Sequence, residues 1–464
     1  VNAPSAASGA APVEPVAGEG KADIGGKRPE GLPIFLPCAA GVEDWLAIEV
    51  QRVLPAAACT KRRGGVASFG GPAEVMALNL ELRLAQRVLI DVAQSPYQDE
   101  NDIYAMARSV DWTQWITPDH TLRVDTTAQR SPLRSLNFAA LRVKDAVCDT
   151  LRDATGERPS VDTRHPDLPL VLHCGPTHAT LYVDSSGEAL FKRGWREDQG
   201  DAPLKETLAA AMLAAAGWRG TPEAGGALHD PCCGSGTIAI EAAQIACDMA
   251  PGLLRRFAFE RLLPFANPAM RAAWQRLKSH ARARVHASAV PIFASDVSQR
   301  MVDFARRNAQ RAGVLEYITF NGGDALERPA PVLPNDLPGT LMLNPPYGER
   351  IDAGGAGSAR RVADEPRSRG MAATNHSGAQ PDDNRTLSGG FFSRLAAHWK
   401  HSYSAHPAGW TAWVLSPDMK LAGAMRLAES RRIPMWNGPI ECRLFRFVLE
   451  PRRTTANSQP SQEG

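Results

Sequence analysis

Short windows of alternating apolar and polar residues, separated by stretches with helical spacing, run through the first two hundred positions. Leu32-Pro33-Ile34-Phe35-Leu36 reads as a strand, and Val42, Leu46, Ile48 and Val53 mark a helix from Gly41 to about Val53. After a Gly64-Gly65 turn come a strand Val66 to Phe69 and a helix Pro72 to Arg87 with Val75, Leu78, Leu82 and Ala85 on one face. A strand Val88 to Ala93 closes a βαβαβ order, which fits a small ferredoxin-like sheet. Nothing in it looks catalytic.

A second, α+β unit follows. Its pattern predicts a helix Asp102 to Ser109, a strand Thr121 to Thr126, a helix Asn137 to Thr150, and strands Leu168 to His173 and His178 to Asp184. Arg130, Arg134, Arg142, Lys144, Arg152 and Arg158 make this unit locally basic. They suit the phosphates of unpaired RNA, or else a solvated helix face, which the interspersed Asp145, Asp149, Asp153 and Glu157 slightly favour.

From Phe191 onward strands alternate with helices, the signature of a parallel sheet in an α/β domain. An alanine-rich helix to about Ala216 is expected to start from Asp201 as N-cap with Pro203 in its first turn, which would leave Lys205 and Glu206 on the surface. The run Ala227-Leu228-His229-Asp230-Pro231-Cys232-Cys233-Gly234-Ser235-Gly236-Thr237 is a strand, a glycine turn and a helix start. Such a turn brings a ligand to backbone amides at a helix N-terminus. It is not the dinucleotide fingerprint, since no third glycine follows, and Asp230 suits an ammonium group instead.

Pro291 to Ala294 should be the next strand, ending at Ser295-Asp296, where an acid commonly holds ribose hydroxyls. A helix Gln299 to Ala312 and a strand Tyr317 to Asn321 lead to Asp324, whose carboxylate suits an adenine amine. The apolar Leu341-Met342-Leu343 then runs into Asn344-Pro345-Pro346-Tyr347. Proline has no backbone N–H, so this turn is rich in carbonyl acceptors and poor in donors. The Asn344 side-chain oxygen and the Pro345 carbonyl are placed to accept the N–H groups of a planar exocyclic amine, and Tyr347 to stack on its ring. The plainer alternative is a turn after a strand. Asp230, Asp296, Asp324 and Asn344 nevertheless all fall at carboxyl ends of successive strands, where open α/β sheets hold ligands.

Between the first two of these strands lies an insertion, about Asp248 to Ser288. It carries Arg255, Arg256, Arg261, Arg271, Arg276, Lys278, Arg282 and Arg284, interleaved with Phe257, Phe259, Phe265 and Trp274. That mixture reads as an RNA-contacting surface or as an amphipathic helix pair covering the sheet. A helix Phe391 to Tyr403, a strand Thr411 to Ser416, a helix Pro417 to Ala428 and a hairpin Arg432 to Leu449 turning at Asn437-Gly438 complete the pattern.

Composition narrows the setting. The 464 residues are 44% hydrophobic and 22% charged with a net charge of +2, ordinary for a soluble globular chain and enough for about three domains. Eight cysteines include no C-x-x-C pair, so neither a metal site nor a disulfide framework is suggested and a cytoplasmic setting is simplest. No apolar run is long enough for a bilayer. Residues 1–31 and 451–464 are expected to be disordered, the former without the features of a signal or transit peptide.

Lys205-Glu206, Asp230-Pro231 with Cys233-Gly234-Ser235-Gly236-Thr237, Ser295-Asp296, Asp324 and Asn344 through Arg350 together resemble the class I S-adenosylmethionine methyltransferases that carry a THUMP domain. Within that family the resemblance is to the 23S rRNA guanine-N2 methyltransferases in their single-methyltransferase-domain form. Arg193-Gly194-Trp195-Arg196, Ala250-Pro251-Gly252-Leu253 and Asn437 through Cys442 agree with it, over about residues 32 to 450. The resemblance implies a ferredoxin-like domain at 32–98, a THUMP RNA-binding domain at 99–190, and a Rossmann-like methyltransferase domain at 191–450 with an antiparallel last strand. It implies S-adenosylmethionine as cofactor, held by Asp230, Cys233, Gly234 and Gly236 at the methionine end, Asp296 at the ribose and Asp324 at the adenine. Lys205 and Glu206 would border that pocket.

The same resemblance assigns Asn344, Pro345, Pro346 and Tyr347 to the target base, and 23S rRNA or a large-subunit precursor as partner, with no metal and no membrane. Cys232 replaces a methionine common in relatives. A polar insertion at 352–389 is expected to be a disordered loop, and a chain ending after one methyltransferase sheet would modify a single position. Open alternatives are N6-adenine methylation of RNA or DNA, glutamine-amide methylation of a protein, and a non-catalytic RNA-binding ribosome-assembly factor.

Overall fold

A computed structural model describes residues 31–200, 203–345 and 383–451, with side chains from residue 390 in the last stretch. The first sheet contains β1 (Leu32–Pro37), β2 (Cys59–Arg62), β3 (Gly65–Gly70), β4 (Leu89–Pro96), β5 (Thr121–Ala128), β6 (Ser160–Val161), β7 (Leu168–Cys174) and β8 (His178–Asp184), in the order β2-β3-β1-β4-β8-β7-β5-β6. The ferredoxin-like half is therefore βαββαβ. The sequence pattern misses β2 because Cys59-Thr60-Lys61-Arg62 is a polar edge strand with one face of neighbours and no apolar alternation.

The two lead-in units are one sheet. β4 pairs with β1 through Ile34 and Phe35 and, on its other edge, with β8 from Leu89↔Asp184 to Pro96↔His178, both antiparallel. The helices Glu43–Val53 and Pro72–Glu81 cover the first half, and Glu100–Arg108 and Leu136–Thr155 the second. Ile48, expected on the buried face, is 67% exposed, and Leu46 and Val50 carry that face. The helix from Pro72 stops at Glu81 rather than Arg87. The Glu49 carboxylate captures the amides of Arg83 and Leu84 at 2.9 and 3.1 Å, outbidding a further helical turn, while Leu82 and Ala85 remain fully buried without it.

The second sheet holds β9 (Ala227–Asp230), β10 (Ile292–Asp296), β11 (Ile318–Gly322), β12 (Gly339–Leu343), β13 (Trp410–Ser416), β14 (Glu429–Asn437) and β15 (Ile440–Leu449), ordered β11-β10-β9-β12-β13-β15-β14. The first five run parallel and β15 lies antiparallel to β13. This is the doubly wound arrangement expected from the alternating pattern, and its chain reversal at β9/β12 is a topological switch point. The helix Glu206–Ala216 is buried nearly all round, consistent with its alanine and leucine content. The helix expected over Pro417 to Ala428 shrinks to Leu421–Met425, ended by Arg426 at φ +47°. The helix Asp383–Ser402 begins inside the stretch expected to be disordered.

The two sheets are locked together by buried charge. Glu241, on the helix Thr237–Ala246, accepts from Arg193 Nε at 3.0 Å and from Arg83 Nη1 at 3.3 Å, with all three side chains nearly or fully out of solvent. Arg193 also donates to the carbonyls of Arg83 and Leu190 at 2.7 and 2.9 Å. A buried carboxylate with two guanidiniums needs this many partners to offset desolvation. Gly252 is where the methyltransferase-side loop touches the lead-in: a Cβ there would lie 2.8 Å from Leu80 Cα.

The insertion after Asp248 corrects the reading of an aromatic RNA surface. Phe257, Phe259, Phe265 and Trp274 are 1–5% exposed and pack on one another with ring centroids 5.1 to 5.8 Å apart. Arg255 is spent on the carbonyls of Ser186, Glu188, Ala189 and Lys192, Arg261 on Asp167, and Arg284 on Glu81 and Asp248. Half of the insertion is thus a plug between the sheets. Half of the cations singled out in the second unit are also neutralised, Arg152 and Arg158 by Asp149 and Lys144 by Asp145, while Arg142 lies over the Tyr104 ring.

Candidate functional site

Four neighbouring strands end side by side. Asp230 closes β9, Asp296 closes β10, Asp324 follows β11 by two residues and Asn344 follows β12, in the sheet order β11-β10-β9-β12. The carboxyl ends of buried parallel strands are where open α/β sheets hold ligands, and here four polar residues fall side by side at that edge.

Asp230 is 1% exposed, and its Oδ1 accepts from the Cys232 amide at 3.2 Å. Burial pushes its carboxyl well above the usual range, and the charge of Asp296 pushes the same way. Among the described residues no cation neutralises it. Asp296 accepts from the amides of Gly234 and Ser298, both at 2.9 Å, and its own carbonyl accepts from the Gly323 amide at 3.0 Å. Its carboxyl too is raised by burial, against those two hydrogen bonds. Asp324 accepts from the Leu326 amide at 2.9 Å, an Asx turn that fixes its orientation. The half-buried Cys232 registers the convergence: its thiol is pushed far up by burial and then by Asp230, Asp296 and Asp324 in turn.

The glycine turn is held open between them. Gly234 has φ +52° and a Cβ there would meet no atom within 4 Å, so the backbone faces open space on that side. Gly236 has φ +91°, caps the helix Thr237–Ala246, and would place a Cβ 2.9 Å from Ala305 Cβ. The buried Cys233 is fixed through its amide, which donates to the Ser295 carbonyl at 2.9 Å.

Lys205 and Glu206 are not the surface residues that an Asp201 cap would make them. The helix starts at Glu206 with Lys205 as N-cap residue, and Glu206 is 2% exposed. Glu206 Oε1 accepts from Arg196 Nε at 2.7 Å, and Arg196 also donates to Ser235 Oγ at 2.8 Å and Thr237 Oγ1 at 2.7 Å. Lys205 Nζ lies 5.2 Å from the Phe191 ring centroid. Asn308 joins from the helix Gln299–Arg311, giving Nδ2–H to the carbonyls of Ser235 and Asp198 at 3.1 and 2.8 Å. Arg196 and Asn308 are the residues that sequence reasoning missed as part of this site. A polar Asn308 on the buried face of an amphipathic helix, with Val302, Ala305 and Ala309, was the available signal.

Behind Asp230, the His229 ring is buried, with Nδ1 2.9 Å from Tyr403 Oη and Nε2 3.3 Å from Ser295 Oγ. Burial, then the Arg328 charge, pulls its pKa down to about 3, so the ring stays neutral and serves as a strut. Asn344 is half-buried and Pro345 buried at the end of β12, whereas Pro346 and Tyr347 lie outside the described residues. Among the described residues no group of three or more His, Cys, Asp or Glu side chains could hold a metal ion, and no helix is long and apolar enough to cross a membrane.

Family models match three consecutive stretches: an RlmL ferredoxin-like domain at residues 33–89, a THUMP domain at 97–184, and the RMKL-like methyltransferase domain UPF0020 at 193–360. The ribosomal RNA large subunit methyltransferase K/L of Syntrophotalea carbinolica is 35% identical over 442 residues, 93% of this chain and 56% of that protein. The protein of the same name from Psychromonas ingrahamii is 33% identical over 92% of this chain and 52% of its own length. The chain thus spans about half the length of these curated relatives. Among solved structures, SMU.472 complexed with SAH superposes with a TM-score of 0.73 at 23% identity, covering 91% of this chain and 99% of that one. TrmN from Thermus thermophilus gives 0.57 at 19% identity, covering 90% and 99%.

Proposed function

Because the chain belongs to the UPF0020 methyltransferase family, in a form led by RlmL ferredoxin-like and THUMP domains, we propose that it methylates the exocyclic N2 amine of a guanine in 23S rRNA, with S-adenosylmethionine as donor. The observation that carries this reading is the row of Asp230, Asp296, Asp324 and Asn344 at four adjacent strand ends beside an open glycine turn.

The residues fit such a donor. A buried carboxylate with no neutralising cation among the described residues, Asp230, is suited to the ammonium group, and a cation placed there would draw its carboxyl back toward the charged form. Asp296 is assigned the ribose hydroxyls, Asp324 the adenine amine, and Cys233, Gly234 and Gly236 the methionine end, with Lys205 and Glu206 at the border. When bound, the donor supplies an electrophilic methyl group on a sulfonium sulfur.

At the acceptor side, Asn344 Oδ1 and the Pro345 carbonyl take the two N–H groups of the amine and aim its lone pair at the methyl carbon. Pro346 and Tyr347, assigned to the target base by the family resemblance, lie outside the described residues. Positioning of this kind is worth up to roughly 7 to 11 kcal/mol in favourable cases, so no strong base is required and the released proton passes to water. The lead-in sheet, divided near residues 98 and 190, supplies RNA binding, and the setting is cytoplasmic. Relatives named as ribosomal RNA large subunit methyltransferases support rRNA as substrate.

Labelled S-adenosylmethionine incubated with rRNA from cells lacking this gene, followed by nucleoside analysis, tests the reading. N2-methylguanosine in the 23S fraction is expected. Label on adenine would keep the amine clamp and overturn the base; cofactor binding without transfer to rRNA or ribosomal particles would overturn the activity.

A further inference from the structure

The helix Pro268–Ala283 carries Arg271, Arg276, Lys278, His280 and Arg282 and not one acid in its sixteen residues. Several solvent-facing arginines elsewhere have carboxylate partners, as in Arg108–Asp153, Arg158–Asp149, Arg307–Asp198 and Arg432–Glu429, whereas others, such as Arg130, Arg134 and Arg300, are exposed without one among the described residues; what sets this helix apart is that its whole length carries no acid. Among the described residues no ion pair is formed by Arg271, Arg276 or Arg282, all three of which are exposed. A solvated helix whose only task is to cover a sheet gains by mixing signs along its surface. This one keeps its charges unneutralised.

It is also rigidly mounted. Trp274 and Ala281 are buried on its inner face, Asn267 Oδ1 caps it by accepting from the Met270 amide at 2.9 Å, and Arg284, just past its end, is tied to Glu81 and Asp248. Helical spacing then sorts the outer residues. Arg271, Lys278 and Arg282 (i, i+7, i+11) form one flank, with Lys278 Nζ 4.9 Å from the Trp274 ring centroid, while Arg276 and His280 (i, i+4) form the other. Between the flanks the exposed crest is Pro268, Ala272, Gln275, Ser279 and Ala283, uncharged throughout and small at its centre, where Ala272 and Ser279 let the helix approach closely.

Resting on the reading of the protein as an rRNA methyltransferase, we propose that this helix is a docking surface for an RNA stem, its crest against the wide, shallow minor groove, with Arg271, Lys278 and Arg282 on the phosphates of one strand and Arg276, beside the hydrogen-bonding His280, on those of the other. The A-form minor groove is bordered by phosphates on both sides, which the two-rail arrangement matches. The helix spans roughly 24 Å at 1.5 Å per residue, long enough to cross that groove. The surface lies on the insertion between β9 and β10, apart from the amine clamp, so it binds RNA without touching the reacting base.

The test is the salt dependence of binding to an RNA hairpin of about 20 base pairs, for the wild-type chain and for Arg271→Gln/Arg276→Gln/Arg282→Gln. Each phosphate contact contributes about 0.7 to 0.9 to the slope of log K against log salt, so the triple variant should lose about 2 to 3 from the slope. Its affinity should fall at least about tenfold at moderate salt, with S-adenosylmethionine affinity and melting temperature unchanged. Arg276→Gln alone should lose a single increment, which guards against misfolding of the triple variant. An unchanged slope in both variants overturns the docking surface. An equal loss on an unpaired strand of the same length overturns the preference for a stem. Methyl transfer to 23S rRNA by the wild-type chain, measured alongside, reports separately on the underlying reading: transfer with no hairpin binding sinks only this surface, and loss of both sinks the two together.

Discussion

Arg196 Nε stands 2.7 Å from Glu206 Oε1, and the same guanidinium holds Ser235 and Thr237 of the glycine turn. The start of one helix thereby fixes the loop that opens the next. Arg196→Lys keeps the charge but loses the planar fork. Cofactor affinity is expected to fall about tenfold, near 1.4 kcal/mol, with a smaller change in turnover at saturating cofactor. Calorimetric titration with S-adenosylmethionine checks this, and an unaltered dissociation constant would show that the brace does not shape the site.

Asn344 and Asp296 should separate acceptor from donor. Asn344→Ala is expected to reduce turnover by roughly 100-fold or more, as removal of a preorganised polar group commonly does, while leaving cofactor affinity within about threefold (roughly 0.7 kcal/mol). Asp296→Ala should do the reverse, weakening the cofactor first. Steady-state kinetics with parallel binding measurements distinguish the two, and an active Asn344→Ala enzyme would sink the amine clamp.

Glu241 is expected to matter for stability rather than chemistry. Glu241→Gln leaves Arg83 and Arg193 buried without their carboxylate. Breaking one partner out of a buried ionic group costs about 3 to 5 kcal/mol. A urea midpoint lowered accordingly is the expected outcome; a shift under about 0.5 kcal/mol, typical of surface changes, would mean that solvent reaches the triad.

Asp91 makes a pH prediction. Burial in β4 pushes its pKa up to about 6. An acid raised on folding contributes stability below its unfolded value, and that contribution is lost as pH rises through the folded one. Asp91→Asn should therefore stabilise the protein at pH 8 by about 3 kcal/mol at most and change little at pH 4. Melting temperatures across that range decide it, and equal effects at both ends would refute the ionisation argument.

The strand ends were legible in the sequence because parallel strands are buried on both faces, so each apolar run stops abruptly where the ligand side begins. The hairpin at Asn437-Gly438 was equally plain, with Gly438 at φ +62°. The insertion was not. Arginine interleaved with phenylalanine looks the same whether it faces RNA or fills an interface; partners such as Asp167 for Arg261 and the Ser186 carbonyl for Arg255 lie roughly a hundred or seventy positions away. The burial of Glu206 was hidden likewise, because the guanidinium that neutralises it sits on the preceding loop, and only the folded chain brings the two together.

The antiparallel pairing of β4 with β8 makes the ferredoxin-like and THUMP halves a single slab, and the Glu241 triad bolts that slab to the methyltransferase helix. On the proposed function, RNA held by the slab would be presented to Asn344 at a set offset, and the molecule would work as a ruler. Target choice would then become a question of length and angle along the RNA, and a nucleotide could be selected by where it lies without its neighbours ever being read.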